Sequence, residues 1–118
     1  MKNLELGKLG ERLATLYLLD RGYKLIQANY RSIRWGEIDL IMRDGEVFVF
    51  VEVKTRTSVK YGKPEEAVTY HKLRKLRRPI NFFVSTNKIR APLRVDVISI
   101  LFEGEKHKIE HFKNVLTD

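Results

Sequence analysis

At 118 residues, with 43% apolar and 10% aromatic side chains and no cysteine, the chain fits one cored domain and excludes disulfide frameworks and thiolate metal sites. No apolar run reaches the roughly 18 residues of a membrane span, and Met1-Lys2-Asn3-Leu4-Glu5 lacks a secretory pattern, so a cytoplasmic protein with no membrane partner is expected. The net charge of +8 is concentrated: residues 54–90 hold eleven Lys/Arg against Glu65 and Glu66, an excess of +9 that leaves −1 elsewhere and suits a polyanion such as nucleic acid.

In chain order, residues 4–21 read as a helix with Leu6, Leu9, Leu13, Leu16 and Tyr17 as its apolar stripe, closed by Gly22. Residues 23–30 suit a strand with Leu25 and Ile26 inside, and Arg31 to Gly36 a loop. Residues 37–42 and 46–55 form a hairpin around Asp44-Gly45, whose residue types tolerate positive φ. Val47, Val49, Val51 and Val53 line one face of the second strand, Phe48 and Phe50 the other, which places it centrally. Residues 65–87 read as mainly helical, split or kinked by Pro79. Residues 94–102 alternate as a strand, and His107 to Phe112 add a short last one. The fold class is α/β, a mixed central sheet flanked by helices in the order α-β-β-β-α-β-(β), within one domain spanning 1–118.

Hairpin geometry concentrates acids. With Asp44 and Gly45 as the turn, Glu37 faces Glu52, and Asp39 lies diagonal to Glu52 at roughly 7–8 Å between Cα atoms. The two-residue period sends Glu37, Asp39, Glu52 and Lys54 to one side of the sheet. Three carboxylates there repel one another unless a cation intervenes. Oxygen ligands without His or Cys favour Mg²⁺, with Mn²⁺ as a substitute, and a salt-bridged surface without metal is the alternative. Glu11 lies off the leucine stripe, between the small residues Gly7 and Ala14. Gly7 and Gly10 each cost about 1 kcal/mol of helix propensity relative to Ala, which suggests a close approach to a neighbour.

The motifs Gly7-Lys8-Leu9-Gly10-Glu11, Asn29-Tyr30-Arg31, Gly36-Glu37-Ile38-Asp39-Leu40-Ile41 and Val51-Glu52-Val53-Lys54-Thr55-Arg56 resemble those of the YraN-type family. Gly62, Pro64, Glu66-Ala67-Val68, Lys72 and Arg94-Val95-Asp96-Val97 extend the likeness over nearly the whole chain. These small bacterial proteins are predicted endonucleases similar to Holliday junction resolvases. The resemblance implies a restriction-endonuclease-like fold and metal-dependent hydrolysis of DNA phosphodiesters, leaving 5′-phosphate and 3′-hydroxyl ends. It makes Asp39 and Glu52 metal ligands, Lys54 the catalytic lysine and Glu11 an added first-helix acid at the same metal, with Glu37 in support.

Arg31, Arg56, Lys60, Lys63, Lys72 and Lys75, with Arg74, Arg77 and Arg78, are candidates for phosphate contacts. Trp35 and Tyr61 are candidates for stacking on unpaired bases, although ordinary packing is the commoner role of such residues. His71, His107 and His111 form no ligand pattern and read as surface residues. A junction resolvase makes two symmetric cuts and needs a two-fold homodimer, for which Phe82, Phe83 and Val84 are candidate contacts if they are exposed. The rival readings are a DNA-binding module that keeps the fold without chemistry and a basic RNA- or ribosome-associated protein.

Overall fold

The computed structural model describes residues 3–57 and 73–115, with the side chain of Asn3 excepted. Helix α1 (Asn3–Asp20) precedes strands β1 (Lys24–Ser32), β2 (Gly36–Asp44) and β3 (Val47–Arg56). A 3₁₀ turn (Arg74–Leu76), helix α2 (Arg77–Thr86), β4 (Leu93–Glu103) and β5 (Lys106–Phe112) follow. The five strands lie in the order β1-β2-β3-β4-β5. Only the β3–β4 pair is parallel, so the sheet is mixed and β3 is central, as its doubly apolar pattern requires.

The two faces of β3 feed two cores. Val49 and Val51 pack with Leu40, Met42, Ile98 and Ile100 beneath Ala14 and Leu18 of α1. Phe50 packs with Ile41, Val95 and Val97 beneath Leu76, Ile80 and Phe83, on the side of α2. Pro79 is the third residue of α2, where its missing N–H has no carbonyl to serve. The described part of the expected helix is thus a 3₁₀ turn followed by α2, and residues 65–72 of that expectation lie outside the described residues. No described helix is long and apolar enough to cross a membrane.

Three expectations are corrected. The buried stripe of α1 is Gly10, Ala14 and Leu18, whereas Leu16 is exposed. Small residues win that face because they bring the helix backbone down onto the sheet: a Cβ at Gly10 would overlap the Thr55 methyl group of β3, while one at Gly7 would meet nothing. Leu25 and Ile26 are not interior but exposed, since β1 is an edge strand; Ile26 is the extra residue of a bulge between Leu25 and Gln27. In the β2–β3 hairpin Asp44 pairs with Val47, so the turn is Gly45-Glu46. Gly45 has φ +60° and Glu46 is not among the positive-φ residues, the pattern of a turn with glycine first. Asp44 is retained in the strand, where Arg94 Nη1 donates to its Oδ2 at 3.2 Å.

The glycines yield a test of opposite signs. Gly10→Ala should lower stability by about 1–2 kcal/mol, the overlap with Thr55 outweighing the gain in helix propensity. Gly7→Ala should raise it by up to about 1 kcal/mol. Urea unfolding of both variants checks this, and equal shifts would remove the close-packing explanation.

Candidate active site

The corrected hairpin register moves the acids two residues along, which preserves their faces and tightens their spacing. The β2–β3 ladder runs from Asp44↔Val47 to Leu40↔Val51 and stops. One further step of the same register sets Asp39 opposite Glu52, in place of the diagonal expected from the sequence. The Asp39 side chain takes over where the ladder ends, its Oδ2 accepting the Val53 backbone N–H at 2.8 Å. A carboxylate held by a main-chain donor has few orientations left, so the strand geometry itself aims Asp39.

Glu52 is buried, 7% exposed, and its Oε2 has no hydrogen-bond partner among the described residues. Lys75 Nζ lies 3.7 Å from that oxygen, an ion-pair distance too long for a hydrogen bond. Burial, then the charge of Asp39 and a hydrogen bond with it, push the Glu52 carboxyl from 4.5 up to about 7, against the pull of Lys75 and Lys54. Ionisation of Glu52 beside Asp39 is therefore opposed, and a cation held between them would relieve that opposition.

Glu11 reaches this centre from α1. Its carboxyl is raised by burial and then by the charge of Asp39; a hydrogen bond with Asn29 and the charge of Lys8 lower it, and Glu37 adds to the rise. Glu11 also lines a pocket of about 300 Å³ with Lys8, Arg12, Asn29 and Leu40. Asp39 is thus the hinge of the cluster, acting on Glu52 on one side and Glu11 on the other. Glu37 pairs with Arg31 at 2.8 Å on the exposed surface, so that arginine already has an anionic partner.

The donor set accommodates a hard divalent cation in part. Among the described residues no three acidic or imidazole side chains converge on one point. Asp39 and Glu52 are the close pair, and Glu11 stands one step removed. Mg²⁺ is commonly held by one or two carboxylates together with waters and substrate phosphate oxygens, so a pair suffices. The unpartnered buried Oε2 of Glu52 is what such an ion would satisfy.

The sequence profile described as "Uncharacterised protein family UPF0102" matches residues 10–100, a span that holds Glu11, Asp39, Glu52, Lys54 and Lys75. The chain belongs to the UPF0102 family. It is similar to the UPF0102 protein of Thermodesulfovibrio yellowstonii, 46% identical over 114 residues that cover 97% of each chain. The UPF0102 protein of Geobacter metallireducens is 45% identical over 97% of this chain and 93% of its own. That of Syntrophomonas wolfei is 45% identical over 95% and 97% respectively.

In this UPF0102 chain two residues gain site roles that sequence reading did not assign. Asn29 falls opposite Asp39 in β1, with a left-handed φ of +53° that asparagine tolerates, and its side chain holds Glu11. Lys75, expected only at phosphates, faces Glu52 while remaining 61% exposed. The neighbouring Asn29-Tyr30-Arg31 motif was the available signal for the first; the second required the 3₁₀ turn that packs on the sheet. Arg56 ends β3 and is half-buried. Lys60, Lys63 and Lys72, with Tyr61 and His71, lie outside the described residues.

The chain also carries a second polar centre, on the α1 side of the sheet. Asp96 is fully buried and accepts from Arg94 Nε at 3.0 Å and Nη2 at 3.2 Å, and from the Asn114 N–H at 3.0 Å. His111 Nε2 lies 2.8 Å from Asp96 Oδ2, and the Tyr23 hydroxyl donates to the same oxygen at 3.4 Å. His111 is therefore not a surface residue: its side chain is 5% exposed, edge-on to Tyr17 and Tyr23. It escaped the sequence reading because its partner is fifteen residues away, across the β4–β5 pair.

Proposed function

We propose that this protein is a metal-dependent endonuclease acting on DNA phosphodiesters, with a restriction-endonuclease-like arrangement of its sheet. The observation that carries the reading is the pairing of half-buried Asp39 with buried Glu52, whose Oε2 lacks a hydrogen-bond partner among the described residues, beside Lys54 and Lys75. Asp39 and Glu52 would hold Mg²⁺ or Mn²⁺; Lewis acidity toward a phosphodiester oxygen and a water of lowered pKa are what such an ion supplies when bound. Lys54 contributes positive charge where the attacked phosphate gathers negative charge. Lys75 balances Glu52 and is exposed enough to meet a phosphate. Glu11, through its charge on Asp39, and Asn29, through its hold on Glu11, position the pair.

The basic segment supports DNA as the substrate. From Leu73 to Pro92 the chain carries Arg74, Lys75, Arg77, Arg78, Lys88 and Arg90 and no acid. Such a surface gives affinity by releasing counterions rather than by reading bases.

Labelled four-way junction, flap, single-stranded and duplex DNA, incubated with Mg²⁺ or Mn²⁺, test the proposal against Asp39→Ala and Lys54→Ala. Metal-dependent cleavage should fall at least about 100-fold in both variants, on the scale of losing an electrostatic stabiliser of the transition state. Cleavage intact in Lys54→Ala would remove that lysine from the chemistry. Tight, salt-sensitive binding with no cleavage, unchanged by Asp39→Ala, would assign the chain to DNA binding without hydrolysis.

A further inference from the structure

Trp35 is the chain's one tryptophan, and it sits on the turn between β1 and β2 rather than in either core. Its backbone N–H donates to the buried Ser32 Oγ at 3.2 Å, which closes the turn. A Cβ at Gly36 would lie 3.9 Å from the Pro79 ring, so the turn rests on the first turn of α2. The indole is flanked by two guanidiniums, Arg34 at 4.8 Å and Arg78 at 5.5 Å from its ring. Beside it opens a groove of about 470 Å³ lined by Trp35, Arg78, Asn81, Phe82 and Ser85. Phe82 is 42% exposed there, an aromatic ring left facing solvent.

We propose that this groove is a base-binding subsite, which takes an unpaired nucleobase from the strand being cut. The proposal rests on the nuclease reading above and deepens it to a substrate class: DNA with single-stranded character beside the scissile phosphate. An indole and an exposed phenyl ring offer the π-faces on which bases of any identity stack. Asn81 and Ser85 supply donors and acceptors for a base edge. Arg34 and Arg78 supply cations for the phosphates on either side, and the neighbouring acid-free segment is complementary to a polyanion.

The groove and the acidic pair share their two supporting elements. Trp35 precedes β2 by one residue and Asp39 lies four residues beyond it; Arg78 follows Lys75 by three. A strand with its phosphate at Asp39 and Glu52 would therefore have a flanking nucleotide at Trp35. A paired base is already stacked in its duplex and presents no free face, so the groove discriminates by strand state rather than by sequence.

The single tryptophan reports on the occupant directly. Metal-free protein in EDTA is titrated with a 16-residue oligothymidylate, an abasic deoxyribose-phosphate strand of equal length and a blunt duplex, while anisotropy follows binding. Oligothymidylate should quench Trp35 emission saturably, and the abasic strand and duplex should bind without quenching. Trp35→Ala should lose about 5- to 150-fold in affinity for oligothymidylate, with duplex affinity unchanged and Trp35→Phe recovering most of the loss. Phe82→Ala, which keeps the reporter, should weaken the same quenching. Binding of oligothymidylate without quenching overturns the proposal. Emission that shifts with protein concentration in the absence of DNA, together with a dimer in sedimentation, overturns it too and assigns the groove to a second copy of this chain. Cleavage is not read in this experiment, so a protein that fails to cut DNA can still pass it, and a nuclease can still fail it.

Discussion

Replacing Glu52 by Gln should make the protein more stable above pH 7 and, on the nuclease reading proposed above, abolish metal-dependent cleavage of DNA. The Glu52 carboxyl is raised from 4.5 to about 7 by burial first and by Asp39 second. An acid whose pKa is raised on folding favours the folded state while it keeps its proton. That contribution is complete below about pH 4.5 and is lost as pH rises through about 7. The shift corresponds to about 3 kcal/mol between pH 4.5 and 8, a sizeable share of a small domain's stability. Glutamine keeps the shape and has no proton to lose. The difference between wild type and Glu52→Gln in urea midpoints at pH 5 and pH 8 isolates this group from the other titrating residues. Wild type should lose stability relative to the variant over that interval, and Mg²⁺ added at pH 8 should restore part of the loss in wild type only. Parallel pH profiles would mean that Glu52 is not held in the environment described.

Asp96→Ala should cost about 3–5 kcal/mol, the usual penalty for leaving buried charge without its partner. Burial alone would raise the Asp96 carboxyl, but hydrogen bonds from His111, Arg94 and the Asn114 N–H hold it below 3.8. Its contribution is accordingly present above pH 3.8 and lost as pH falls through the lower folded value. Alanine removes the acceptor shared by Arg94, His111, Tyr23 and the Asn114 N–H and leaves the Arg94 guanidinium with Asp44 as its remaining anionic partner among the described residues. Asp96→Asn, which keeps an oxygen acceptor and the volume, should lose less and stay folded where alanine does not. Thermal and urea unfolding at pH 7 read both; an alanine variant within about 1 kcal/mol of wild type would show that the network contributes specificity rather than stability.

Periodicity and turn chemistry made much of the fold legible. Alternating valines and phenylalanines announced a central strand with two covered faces, and all five strands and the helix–strand order stand where pattern put them. The errors share one cause: tertiary contacts overrode local preference. Leucines at helical spacing marked the flank of the buried face of α1, where Leu13 and Tyr17 pack on the core, and missed its centre because Gly10 and Ala14, which carry little hydrophobic signal, allow the closest approach. The Asp44-Gly45 turn slid by one residue because Arg94, fifty positions away, holds Asp44 in the strand.

The proximity of Asp39 and Glu52 survived that slip because sliding the turn by one residue changes the cross-strand pairing by two, which preserves a period of two. Asp39 and Glu52 therefore still meet, now directly rather than diagonally. His111 and Lys75 could not be placed from sequence because each is defined by a partner on another element. Phe83, a candidate dimer contact only if exposed, is a buried core residue 6.0 Å from Phe50 between ring centres, which removes it from that set.

The irregular outer strand β1 has a consequence for how molecules of this protein meet. An open sheet margin with exposed Leu25 and Ile26 is a template on which another chain's backbone can polymerise. Here the extra residue at Ile26 and the left-handed backbone at Asn29 interrupt the regular extended pattern of that margin, which disfavours pairing with a continuous foreign strand. The same asparagine that steadies Glu11 thus also helps to keep the molecule from zippering onto its neighbours.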